Sequence, residues 1–431
     1  MFSSNVIKVS LLLVFSLSFI GCQNHAPAPV DLKLVNLAHL NHLYEDVVID
    51  GKEMGIIHIY SEFPDYAWVD AHSEGIACVD DVARAAVVYL RHFEITDDSI
   101  SLKRARKLLD FCLFMQAEDG QFYNFIYADY SINREGDTSF KSFGWWAARG
   151  VWALGEGYRV FHELDASYAN LLKKHIRKTY VHIDTLLAHY PEVEDFDGFK
   201  APKWLLYNSA ADATSELMLG LAAFARVSGD PTVRDYLKTF AMGLIEMQSG
   251  DKDTFPYGVF LSWKNVRHGW GNSQTQALAQ AGKVLQDQEI QQAAVREAGS
   301  FYPYWIEQGF PRELEFVFED TIRAKKVTQF DQIAYAIRPA VVGSLMLYEL
   351  TQEERFAELA GELATWFFGN NPANQKMYDP ETGRCFDGIL SESAINRNSG
   401  AESTIEALYS ILEVEANPIA RRRLECFLTS N

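Results

Sequence analysis

The sequence predicts an all-α fold, an (α/α)6 toroid of six helical hairpins, and three observations lead to it. From Val82 onward apolar residues recur at helical spacing almost without a break, predicting twelve helices near 82–93, 103–116, 142–162, 167–189, 211–227, 232–248, 273–285, 289–307, 332–350, 353–367, 401–413 and 418–428. Their connections alternate, those near 94–102, 163–166, 228–231, 286–288, 351–352 and 414–417 being short and those near 117–141, 190–210, 249–272, 308–331 and 368–400 long. No sequence motif repeats, so the period is one of hairpins and loops. If the helices run up and down in order, every long loop falls on one end, together with the N-termini of the odd-numbered helices. The ring then has a plain face and an elaborate one. Ahead of it lie an amphipathic segment over 32–48 and a strand or packed extension over 54–60, with which an extra N-terminal helix pair is compatible.

The 431 residues suffice for two average domains, but repetitive helical architectures run longer as one, and a single domain over 32–431 is expected. Residues 1–22 read as a secretory signal: Lys8, an apolar run over 11–20 too short for an ordinary membrane span, then Gly21-Cys22. Phe19-Ile20-Gly21-Cys22 resembles the bacterial lipobox, which implies lipidation of Cys22 and membrane attachment through it. Gln23 after it resembles the outer-membrane sorting pattern, implying a periplasmic or surface-facing lipoprotein on a tether over 23–31. Cys78, Cys112, Cys385 and Cys426 match no zinc spacing, and a chain this large needs no disulfide framework. No cofactor or metal is implied. A formal charge of −19 excludes nucleic acid as a partner and argues against a polyanionic substrate unless the cleft is locally basic. Aromatic residues make up 13% of the chain, enough to fill a large core and leave rings over to line a groove.

The odd-numbered helices begin with polar groups that a helix interior disfavours. They are Asp80-Asp81 before the first, Ser142 with Trp145 and Trp146 at the second, and Asn208, Asp212, Thr214 and Glu216 at the third. His268, Trp270, Asn272 and Gln274 follow at the fourth, Gln332, Tyr335 and Arg338 at the fifth, and Glu402 at the sixth. Taken singly, each has a capping explanation. Together they converge on one rim among aromatic rings, to which Trp68 and Tyr207 add, and describe a carbohydrate cleft where sugars stack on rings and hydroxyls meet Asp, Asn and Gln. The last loop, over 368–400, holds Asp387, Asn396 and Asn398 and leads to Ser399-Gly400-Ala401-Glu402, which opens a helix and fixes one carboxylate on a rigid element.

Glycoside hydrolysis needs one carboxylic acid to protonate the leaving oxygen and one carboxylate to activate water or attack. The first and last helices become neighbours when the ring closes, so Asp80 or Asp81 and Glu402 form the natural pair. We assign Asp81 as base, Asp80 as its helper and Glu402 as acid in an inverting hydrolase of a poly- or oligosaccharide, with the two aspartates able to exchange roles. For Glu402 to act as acid, burial has to overcome the helix N-terminus, which lowers its pKa. A polysaccharide lyase is the alternative: Tyr335 or His268 would abstract a proton and Arg338, Asn208 or Asn272 would neutralise a uronate. A non-catalytic glycan-binding lipoprotein would keep the rings and have no need for the carboxylates.

These residues resemble the six-hairpin glycosidase superfamily. Trp366-Phe367-Phe368-Gly369-Asn370-Asn371-Pro372 followed by Glu402 is similar to the end of glycoside hydrolase family 9, where a Leu-Gly-x-Asn-Pro stretch precedes the acid glutamate, and Asp80-Asp81 resembles that family's paired aspartates. Its Asp-Ala-Gly-Asp spacing and its His-Arg motif do not occur here. A closer likeness is to the helical domain beside some bacterial glycosyltransferases. Glu74-Gly75 with Asp80-Asp81-Val82-Ala83-Arg84-Ala85, Phe122-Tyr123-Asn124-Phe125, Tyr378-Asp379-Pro380, Cys385-Phe386-Asp387-Gly388 and Asn396-Arg397-Asn398-Ser399-Gly400-Ala401-Glu402-Ser403 carry it. It implies the toroid and a carbohydrate-active role. Asn124 and Asp387, on long loops of the active rim, are read as substrate contacts, together with Arg84, Tyr123, Asn396 and Asn398.

Overall fold

In the computed structural model, which describes residues 32–430, a short α1 (Ala38–Leu43) precedes six successive helical hairpins. They are α2 (Val79–Thr96) with α3 (Ser99–Met115); α4 (Trp145–Leu164) with α5 (Ala166–Lys178) and α6 (Tyr180–Leu187); and α7 (Ala211–Ser228) with α8 (Pro231–Glu246). Then come α9 (Gln274–Leu285) with α10 (Gln288–Arg296) and α11 (Tyr302–Glu307), α12 (Ala334–Thr351) with α13 (Glu354–Ala364), and α14 (Ala401–Ala416) with α15 (Pro418–Ser430). The first helix of each hairpin packs on the first of the next, and α14 packs back on α2. These six form an inner ring buried nearly all round, as helices with neighbours on every side must be. One continuous apolar core runs through all the hairpins.

Inner and outer helices start differently. Asp98, Asp165, Asp230, Asp287 and Asn417 cap α3, α5, α8, α10 and α15 through their side chains, so these short turns satisfy their own N–H groups. None of the six inner helices is capped by its own N-cap residue. Their polar starts are therefore not caps, and the inner N-termini are held from neighbouring loops or left to face a cavity.

The closest inner contact joins α4 to α7. A Cβ on Gly220 would stand 2.3 Å from the Val151 carbonyl oxygen, and one on Gly155 would stand 2.1 Å from the Gly220 carbonyl oxygen. Backbone cannot yield as a side chain does, so Gly220→Ala is expected to destabilise by about 1–3 kcal/mol, read as a lower midpoint in chemical denaturation.

The long loops share one end and are stitched together by short strands. Val266–His268, Glu313–Phe318 and Ile322–Thr328 form one sheet from two different loops, Phe122 pairs with Ser142, and Gln332 pairs with Ile389. The structure departs from expectation at the N-terminus. Residues 32–48 form only α1 and then a strand, Tyr44–Ile49, which turns through Asp50-Gly51 into Lys52–Ile57. Positive φ at Asp50 and Gly51 makes the two-residue turn a hairpin type, and alternate burial of Val47 and Ile49 fixes the face. No helix pair forms there among the described residues. Two expected helices are also interrupted: 167–189 at Thr179, and 289–307 by a π-helical turn, Glu297–Phe301. The signal peptide, Cys22 and the tether to residue 31 lie outside the described residues. No described helix is long and apolar enough to cross a membrane. Cys112 is fully buried in α3, and none of the described cysteines forms a disulfide.

Candidate active site

Two strand pairings set the carboxylates. Ala77–Cys78 pairs with Phe125–Ile126, so the chain enters α2 extended and its first turn presents Asp80 and Asp81. At the other end of the chain, Ala401 N–H donates to the Ile59 carbonyl and Gly400 N–H to Asp387 Oδ1, which orients the first turn of α14 and with it Glu402. Because α14 closes on α2, all three carboxylates line one cavity of about 400 Å³, together with Arg84, Asn124, Arg149 and Asp387.

Arginines tie this cavity to the core. Arg84 Nη2 lies 2.8 Å from Asp81 Oδ1 and 3.2 Å from Glu402 Oε2, and its Nη1 donates to Glu406 at 2.8 Å. Glu406 also meets Arg338 Nε at 2.5 Å, and Arg338 reaches Glu216 at 3.2 Å. Arg149 then joins Glu216 at 2.9 Å to Asp80 Oδ1 at 2.6 Å. Tyr335 donates to Glu216 at 2.6 Å, with all three guanidinium groups within 6 Å of its ring centre. The charged chain thus runs from Asp81 across the ring and back to Asp80.

The three carboxylates differ in access. Asp81 is 4% exposed, its oxygens taken by Arg84 and the Cys78 thiol. Asp80 keeps about a fifth of its side chain accessible. Asn124 holds it, accepting from its backbone N–H at 3.3 Å and donating to Oδ2 at 3.1 Å. Glu402 is 42% exposed at the side chain, and only Oε2 takes a bond from the described residues. Although open to the cavity, Glu402 is surrounded by protein, and this burial pushes its pKa up; Arg84 pulls it down and Asp81 adds to the rise. Burial likewise raises Asp81, opposed by Arg84, and Asp387, opposed by the Gly400 N–H.

A second cavity of about 410 Å³ adjoins the first and is lined by Trp145, Tyr207, Trp263, His268 and Trp270 with Asp137 and Asp212. The two meet at consecutive residues, Asp137 and Thr138, and at Arg149, which lines the acidic cavity while its guanidinium sits 4.8 Å from the Trp145 ring centre. His268 pairs with Asp212 at 2.7 Å and stacks on Trp270 with ring centres 3.7 Å apart, which fixes the indole plane. No group of His, Cys, Asp and Glu among the described residues is arranged to hold a metal ion.

Several expected contacts lie elsewhere. Tyr335 is 1% and Arg338 0% exposed, and Glu216 is fully buried: all three form the floor beneath the cavity, so none can be the lyase base, uronate neutraliser or sugar contact expected of them. Asn272 is buried, accepting from the Ser262 hydroxyl at 2.5 Å and donating to the His268 carbonyl, and so holds a loop. Asn208 is exposed and lines neither cavity. Trp68 stacks on His58 in the hairpin Tyr60–Glu62/Ala67–Val69, and Tyr123 lies under Arg134, both outside the cavities. Asn396 accepts from Asn398 N–H, and Asn398 from Phe63 N–H, so both shape the loop instead of lining the cavity. Arg149 and Glu406 escaped the sequence reading. Each is a charge inside an otherwise apolar inner helix, which demands a buried partner.

No protein-family model matches the chain, and no curated protein matches it by sequence. Solved structures do match. A cellobiose 2-epimerase from Bacillus thermoamylovorans B4167 superposes with a TM-score of 0.60 at 14% identity over 88% of this chain and 96% of its own. A sugar epimerase from a ruminal bacterium gives 0.60 at 14% identity over 89% and 96%. A family 76 glycoside hydrolase from a bovine Bacteroides thetaiotaomicron strain gives 0.53 at 10% identity over 86% and 74%. What they share with this chain is the fold, an (α/α)6 toroid.

Proposed function

We propose that this protein is a carbohydrate-active enzyme that hydrolyses a glycosidic bond in a poly- or oligosaccharide with inversion, Glu402 acting as acid and Asp80 as base. The observation that carries the reading is the convergence of carboxylates from the first and last inner helices on one cavity beside an aromatic cleft. Solved structures of the same fold include a glycoside hydrolase and sugar epimerases, which fits a saccharide substrate.

The base role passes from Asp81 to Asp80 on geometry. One Arg84 nitrogen touches both Asp81 Oδ1 and Glu402 Oε2, so those oxygens lie no more than about 6 Å apart, short of the roughly 6.5–9.5 Å that an inverting pair keeps open for water. The guanidinium also fills the space between them. Asp80 is the more exposed aspartate and is aimed by Asn124 and Arg149. In the reaction the glycosidic C–O bond breaks, its electron pair goes to the leaving oxygen, and that oxygen takes the Glu402 proton. Water forms the new bond to the anomeric carbon from the opposite face and gives its proton to Asp80. Asp81 and Arg84 act as positioning residues.

Digestion of a panel of neutral and uronic polysaccharides tests this. New reducing ends of inverted anomeric configuration are expected, and Asp80→Asn should slow their release by about 10²-fold or more. An ultraviolet-absorbing unsaturated product would replace hydrolysis by elimination. A changed sugar with no new reducing end would point to epimerisation, the reaction named for two of the matched structures. Tight binding with no turnover would favour a glycan-binding protein. We also propose lipidation at Cys22; Cys22→Ala should then move the protein from the membrane to the soluble fraction.

A further inference from the structure

We propose that the sugar seated between Asp80 and Glu402 is uncharged, and that its neighbour along the chain lies in the aromatic cavity, so that the substrate is a neutral oligosaccharide spanning both. The inference rests on the reading above for the position of the sugar and adds its class. In the acidic cavity every guanidinium nitrogen is already engaged. Arg84 gives Nε to the Asp80 carbonyl, Nη1 to Glu406 and Nη2 to Asp81, while Arg149 gives Nε to Glu216 and Nη2 to Tyr335 and ion-pairs with Asp80 through Nη1. Asp80, the base, lines the same space with Asp81 and Asp387 against those two spent cations, beside the acid Glu402. A uronate or sulfate placed there meets like charge with no unpaired cation to neutralise it, and like-charge juxtaposition is a strong means of rejection.

The aromatic cavity differs. Trp270, fixed by its stack on His268, and Trp145, fixed by the Arg149 guanidinium, offer flat apolar faces suited to a pyranose, and the exposed Asp137 lines the same cavity. Lys264 and Arg312 lie within 6 Å of the Trp263 and Trp270 ring centres, so a carboxylate is tolerated better there. Discrimination against charge therefore belongs to the acidic cavity, and stacking to the aromatic one.

The test titrates the full chain with gluco-, manno- and galacto-oligosaccharides and with the same oligosaccharides oxidised at C6 to uronates, following tryptophan fluorescence. At low salt at least one neutral series is expected to bind at least about tenfold more tightly than its oxidised partner, with the gap narrowing as salt screens the repulsion. The gap should also narrow in Asp80→Asn, which removes the negative charge of the base, a change that a merely structural role for Asp80 does not produce. Equal or tighter binding of the oxidised series, or no binding in any series, would overturn the inference. A neutral oligosaccharide bound at the predicted preference but left uncut by the wild-type protein would sink the hydrolase reading and leave this one standing.

Discussion

Glu402→Gln is expected to lower kcat on the susceptible glycan by about 10²–10⁴-fold with little change in KM, because a positioned acid contributes to that extent in the transition state and little to ground-state binding. The amide keeps the shape and cannot protonate a leaving oxygen. Arg84 retains Asp81 and Glu406 as partners, so the network below should stand. An aryl glycoside whose leaving group needs no proton should recover most of the lost rate. The pH profile supplies a second check. Burial holds the Glu402 pKa above the ordinary glutamate value, so the proton needed for catalysis is kept to higher pH than on a free glutamate, and the fall in kcat on the alkaline side should vanish in the variant. The sign for stability follows from the same shift. A carboxyl whose folded pKa is raised contributes fully below its unfolded pKa and loses that contribution as pH rises through the folded value. Glu402→Gln should therefore be at least as resistant to denaturant as wild type at pH 7, and loss of both activity and stability would contradict the role.

Arg338→Met should have the largest effect on stability. Arg338 is fully buried between Glu406 and Glu216, which are themselves buried, and its Nη1 also donates to Ser273 and Gln276. Removing one partner of a buried ion pair leaves charge uncompensated in a low-dielectric interior, and such changes destabilise by about 3–5 kcal/mol. The exposed Arg323–Glu319 pair offers the control, since breaking a surface pair is worth about 0–1 kcal/mol. Urea titration of both variants reads the difference as a shift in midpoint at unchanged slope. A loss under about 1 kcal/mol for Arg338→Met would show that Arg84 and Arg149 alone neutralise the buried glutamates.

The toroid was legible because its signal is repeated: apolar residues at helical spacing and a strict alternation of short and long links. The acidic site was legible for a related reason. Asp80, Asp81 and Glu402 stand in first turns, and ring closure alone makes the first and last inner helices neighbours. Depth was harder to read. Glu216 is the sixth residue of α7 and Arg338 the fifth of α12, and at about 1.5 Å per residue each lies a full turn below the mouth. Tyr335 starts its helix yet points inward, drawn by the arginines stacked around it. Arg149 and Glu406 left a usable signal in apolar surroundings, Glu406 one turn after Glu402 on the same face of α14. At the N-terminus the amphipathic pattern outweighed the Asp50-Gly51 turn signal, and the turn prevailed in the fold.

On the mechanism proposed, a glycosidic bond lies between Glu402 and Asp80 in the acidic cavity. The most direct measurement is a crystal structure of Glu402→Gln with an oligosaccharide that the wild-type protein cleaves. The expected result places the glycosidic oxygen within hydrogen-bond reach of the new amide, the anomeric carbon toward Asp80, and the adjoining sugar against Trp270 or Trp145. A sugar chain seated on the plain face of the ring, or one whose nearest carboxylates are neither Asp80 nor the group at 402, would contradict it.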